Sequence, residues 1–153
     1  MKEEVDRFVV LAREFCTLLE TAIQLEPVEL RTRLLRVLPA LYVAGSELAL
    51  PDTDAEYEDV TLQLDLLVAL SQHLGERDRF WQVFDPTHKA KPLESSLALE
   101  LSEIRHDLQK GLIALERGAP LEAVLWEWRF VLDAHWGNHL VNALRAVHWQ
   151  QAW

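Results

Sequence analysis

Apolar side chains recur at three- and four-residue steps through most of this chain, which is the period of helices that bury one face. From Lys2 to Gln24 the stripe is Val5, Phe8, Val9, Ala12, Phe15, Cys16, Leu19, Ala22 and Ile23. Glu3, Glu4 and Asp6 sit in its first turn, where the helix dipole favours carboxylates. Pro27 suits the first turn of a second helix, which the stripe Leu30, Leu34, Leu38, Leu41, Tyr42, Gly45 and Leu48 carries to about Leu50. Pro39 lies inside it and predicts a kink near Leu35 or a short break. A third helix is predicted from about Ala55 to Leu74, with Tyr57, Val60, Thr61, Leu64, Leu67, Val68 and Leu74 on its stripe. Asp52, Asp54, Glu56, Glu58 and Asp59 crowd its start, as acids do at a positive helix end, and they lack the spacing of a calcium loop.

Residues 76–92 break the pattern. Phe80, Trp81, Val83 and Phe84 predict a short helical plug at one end of a bundle, and 85–92, with two prolines, reads as an exposed loop. The period returns from Ser95 to Arg117 through Leu97, Leu101, Ile104, Leu108, Gly111, Leu112 and Leu115, and Gly118 ends it. Pro120 opens the last helix, which holds five of the six tryptophans from Trp126 onward. One face carries Trp128, His135, His139 and Asn142, and a roughly opposite one carries Trp126, Phe130, Leu140, Leu144 and Val147. A helix apolar on two faces is packed on both sides. The expectation is one all-α domain spanning 1–153, a bundle of about five main helices around a long, largely buried C-terminal one. At Gly137 either something approaches closely or the helix breaks.

The net charge of −10 argues against nucleic acid and against an anionic membrane surface as partners. No apolar run approaches the ~20 residues of a membrane span, and the first residues do not read as a signal peptide. A cytoplasmic protein is the consistent expectation. Cys16, the one cysteine, falls on an apolar stripe and reads as a buried, inert thiol. Arg31, Arg33 and Arg36 form a small basic cluster, read as a solvated face pairing with nearby acids.

His135 and His139 stand one helical turn apart, so both rings can address one centre, as metal-binding histidines do. The zinc-protease pattern requires a glutamate directly after the first histidine; Trp136 stands there. Glu103 and His106 have the Glu-x-x-His spacing of carboxylate-bridged di-iron sites, but His106 falls on the solvent side of its wheel and the second such motif is absent. A third ligand must then come from elsewhere. Equally, the two histidines can be buried anchors bonded to acids, tyrosines or carbonyls, with Tyr42, Glu47 and Tyr57 as partners. No serine sits in the strained turn of a nucleophile, so no catalytic residue is assigned.

The segments WEWRFVLDAHWGNHLVNALRAVH, FDPTHKAKPLESSLALELSEIRHDLQKGL and LPALYVAGSELALPD resemble the bacterial proteins grouped as domain of unknown function 5063. The resemblance runs from Phe8 to His148 and is most specific at Trp128–Phe130 and His135–His139. It implies a compact helical bundle of bacterial origin and no assigned activity or cofactor. It adds Arg129, Trp136 and Gly137 to Trp128, His135 and His139 as positions that match the motif.

Two functions remain open. The leading one is a non-enzymatic helical module that binds a protein partner or itself, through its acidic surface or through Trp149 and Trp153. The alternative is a small-ligand or metal-binding protein, or an enzyme, with a pocket at Trp128, His135 and His139, joined by Arg129, Trp136 and Asn142. In its metal version His135 and His139 are the ligands.

Overall fold

The computed structural model describes residues 1–62, 65–150 and 153. Its helices are α1 (Lys2–Thr21, continued by a short 3-10 turn, Ala22–Gln24), α2 (Pro27–Ser46), α3 (Asp65–Leu74), α4 (Leu97–Glu116), α5 (Leu121–Val131) and α6 (Gly137–Trp149). A π-turn, Leu132–Trp136, joins α5 to α6, so the two form one long C-terminal helix. Among the described residues the fold is mostly helical, with five helices when that rod is taken as one. Among the described residues, no helix is long and apolar enough to cross a membrane.

The core is a closed ring. α1 packs on α2, α2 on α6, α6 on α4 and α4 back on α1. At its centre lie Phe8, Trp128 and Trp136, all essentially inaccessible. The Phe8 ring is 5.0 Å from that of Trp128 and 6.1 Å from that of Trp136. Glycine makes room for the indoles: a Cβ at Gly111 would lie 2.3 Å from Trp128, and one at Gly45 would lie 2.7 Å from Trp136. Arg31 of α2 donates to the carbonyls of Val147, His148 and Gln150, which closes the C-terminus of α6. That arginine is therefore not part of a solvated basic face, whereas Arg33 pairs with Glu29 as expected.

Four local expectations are corrected. α2 ends at Ser46 and runs through Pro39 without interruption. The third helix starts at Asp65, and residues 55–62, expected to be helical, have no regular secondary structure, as do 51–54 before them. Pro51, Thr53, Ala55 and Tyr57 are half-buried while Asp52, Asp54, Glu56 and Glu58 are exposed. In a helix Asp52 would face Glu56, and Asp54 would face Glu58, like charges one turn apart. Outside a helix these acids face solvent, while the residues between them up to Tyr57 are half-buried. Leu64, assigned to the helical stripe, lies outside the described residues.

The plug expected at Phe80–Phe84 is instead an antiparallel hairpin, β1 (Arg79–Gln82) with β2 (Leu93–Ser96). Buried Asp78 anchors it. Its carboxylate accepts from Ser71 Oγ, Ser96 Oγ and the Ala98 amide, the last at 2.7 Å. Residues 86–92 between the strands are exposed.

The fourth correction concerns the last helix. Trp126 and Phe130 stack on each other at 4.8 Å and remain 40% and 50% exposed, so that face is not packed as expected at its N-terminal end. The buried positions include the stripe Val124, Trp128, Leu132, Trp136, Leu140, Ala143 and Val147. The extra residue of the π-turn changes the phase, so a wheel drawn with a constant 3.6-residue period misplaces one half.

Candidate metal centre

The π-turn also orients the histidines. Its signature is the Gly137 amide donating to the Leu132 carbonyl, five residues back. A Cβ at Gly137 would lie 2.2 Å from that same oxygen. The glycine thus serves its own helix, which is the break alternative in a mild form, and not a close approach by another helix. His135 lies within the turn and His139 in the first turn of α6. Both rings stand over α4, where Glu100, Glu103 and Asp107 fall at i, i+3 and i+7 on one face.

Each imidazole is held by a carboxylate. His135 Nδ1 lies 2.5 Å from Asp107 Oδ2, and His139 Nδ1 lies 2.5 Å from Glu100 Oε2. A carboxylate accepts, so both Nδ1 atoms carry hydrogen and donate. The two Nε2 atoms then face each other across 3.2 Å. Glu103 Oε2 lies 3.6 Å from His135 Nε2. Ligand atoms of Glu103, His135 and His139 all fall within 4.8 Å of one another. Glu100 is buried, while His135 and Glu103 are 42% and 36% exposed, so the group opens to solvent on one side. The pKa of His139 is raised, first by its hydrogen bond to Glu100; burial opposes this, and the charges of Glu100, Glu103 and Asp107 add to it.

Two imidazole nitrogens converging in this way suit a shared cation. A shared proton makes the pair a hydrogen-bonded imidazolium and imidazole. A metal ion about 2.0–2.1 Å from each nitrogen, at tetrahedral angles, holds them about 3.3 Å apart. Glu103 fits as a third ligand once its carboxylate rotates toward the pair. The set of two imidazoles and one carboxylate suits a first-row divalent ion. Asp107 and Glu100 then occupy the outer positions that fix the tautomer and aim of metal-binding histidines.

Of the six residues singled out in the sequence, only His135 and His139 belong to this group. Trp128 and Trp136 are core side chains, and Trp136 Nε1 donates to the Trp128 carbonyl at 3.0 Å. Arg129 pairs with Asp133 at 2.7 Å. Asn142 is half-buried on α6, three residues past His139. The histidine partners expected at Tyr42, Glu47 and Tyr57 are Glu100 and Asp107 instead. Tyr57 donates to Glu127, and Glu47 pairs with Arg7. Glu103, set aside together with His106, is in the cluster without it. The signal that points to α4 is its acidic stripe, Glu100, Glu103 and Asp107, at the helical spacing that matches a histidine pair.

The fold has a counterpart among solved structures. The crystal structure of protein BF1032 from Bacteroides fragilis superposes with a TM-score of 0.77 at 24% identity, covering 95% of this chain and 90% of that one. No curated protein matches the chain. The family model of the domain of unknown function DUF5063 matches residues 1–152, and the chain belongs to that family.

Proposed function

We propose that this protein binds a divalent first-row transition metal ion through His135 Nε2, His139 Nε2 and Glu103. The observation that carries the reading is the convergence of two Nε2 atoms at 3.2 Å while both Nδ1 atoms are engaged by carboxylates. A shared proton satisfies the two nitrogens alone, whereas a metal ion also takes Glu103, whose Oε2 lies 3.6 Å from His135 Nε2. Three protein ligands leave at least one position for water or an external ligand, the arrangement of a catalytic site and not of a closed structural one. The open side at His135 and Glu103 gives such a ligand access. A reducing compartment such as the cytoplasm suits a chain whose single cysteine is a buried thiol.

Calorimetric titration of the purified protein with zinc tests the reading. One ion per chain is expected, with binding lost in His135→Ala and His139→Ala and weakened in Glu103→Gln. Wild-type stoichiometry in the histidine variants would refute it.

Self-association keeps one supporting observation, the 69% exposure of Trp149. Trp153, by contrast, packs against the core beneath the Arg77 guanidinium, 5.9 Å from its ring centre. Light scattering of Trp149→Ala tests this second reading: an unchanged mass would count against it.

A further inference from the structure

The hydrogen bonds that aim His139 continue into the β-hairpin. Glu100 uses Oε2 for His139, and its Oε1 accepts from Gln82 Nε2 at 3.0 Å. The same nitrogen donates to Ser95 Oγ at 2.6 Å. Gln82 closes β1 and Ser95 lies on β2, so one amide ties both strands to a carboxylate on α4. Chemistry fixes which way that amide points. Flipped, its oxygen would face the Glu100 carboxylate, and two acceptors repel. With both amide hydrogens engaged, Gln82 Oε1 is left buried with no partner among the described residues. An unmatched buried acceptor costs about 1–3 kcal/mol. An apolar side chain of the same length would cover the same surface without that cost. What the amide adds is a donor to Glu100.

We infer that Gln82 is a positioning residue for the metal centre, an inference that rests on the metal-binding reading above. By engaging Glu100 Oε1, it fixes the plane of a carboxylate whose other oxygen holds His139 Nδ1. That fixes the tautomer and tilt of the ring, and so the aim of Nε2 at the ion. Without the amide, Oε1 is a buried acceptor that must turn toward another donor, and the imidazole turns with it. Outer-shell partners of metal-binding histidines change affinity about 10–100-fold. The hairpin, which supplies no ligand, thereby sets how tightly the ion is held.

Cobalt(II) titration read by visible absorption is the test, because the d–d bands report ligand geometry as well as occupancy. Gln82→Met keeps the length and removes the donor. We expect it to bind cobalt about 10-fold more weakly or worse, with altered bands. Phe84→Ala, at a hairpin position 90% exposed, should match wild type. If circular dichroism shows Gln82→Met to be unfolded, Gln82→Leu makes the same test. A folded Gln82 variant with wild-type affinity and bands overturns the role of Gln82 and leaves the metal reading standing. Failure of the wild type to bind cobalt overturns the metal reading, and this inference with it.

Discussion

A single atom at position 137 separates an α-helix from the π-turn this chain uses. Gly137 has ordinary helical dihedrals, so the requirement is space and not backbone freedom. Any Cβ there meets the Leu132 carbonyl at 2.2 Å, and backbone on both sides of that contact cannot yield cheaply. Gly137→Ala should therefore destabilise the fold by about 1–3 kcal/mol, the usual cost of overpacking, although alanine favours helix in isolation. Urea unfolding checks it; equal or greater stability would mean that the turn relaxes freely. Cys16 illustrates the opposite case, a side chain whose chemistry burial suppresses. Removal from water pushes its thiol up to about 12, against a smaller opposing pull from Arg105. The thiolate is the reactive form. Native protein at pH 8 should resist a thiol reagent that modifies the urea-unfolded chain at once.

At the level of elements, the π-turn is one extra residue placed where two packing surfaces must both be satisfied. Trp128 and Trp136 each need a glycine on a different helix, Gly111 on α4 and Gly45 on α2. Deleting exposed Ala134 should restore a regular helix, keep the far-ultraviolet dichroism and swing His135 away from Asp107 and Glu103. Cobalt bands lost in a folded deletion variant are the expected result; bands retained would show that the turn is not what aims the histidine. Much of the architecture is legible in sequence periodicity, since the buried stripes of α1, α2 and α4 follow the three- and four-residue spacing. Two segments were not, each for a physical reason. Residues 55–62 carry Tyr57 and Val60 at a helical step, but the acids Asp52, Asp54, Glu56 and Glu58 alternate along the segment, and like charges one turn apart disfavour a helix there. The hairpin at Phe80 depends on Asp78 reaching Ser96 and Ala98, a contact across many residues that no local pattern encodes. The site is half legible: the histidine pair stands out by spacing, whereas Glu103 is obscured by its Glu-x-x-His spacing to His106, which points to a different kind of site. Taken with Glu100 and Asp107 instead, it forms a stripe that matches the pair.

For the whole molecule, the ring of α1, α2, α6 and α4 explains why a polar cluster can persist at the edge of so apolar a core. Glu100 is buried, yet each of its oxygens is engaged, one by α6 and one by the hairpin. A metal ion at the histidine pair would pin α4 to the C-terminal helix, two sides of the ring distant in sequence. The most direct measurement of the central claim is anomalous scattering from zinc-soaked crystals, recorded on both sides of the zinc absorption edge. The account predicts one strong peak about 2.0–2.1 Å from both His135 Nε2 and His139 Nε2, with Glu103 turned toward it. Crystals that hold zinc elsewhere, with the two nitrogens still sharing nothing heavier than a proton, would contradict it.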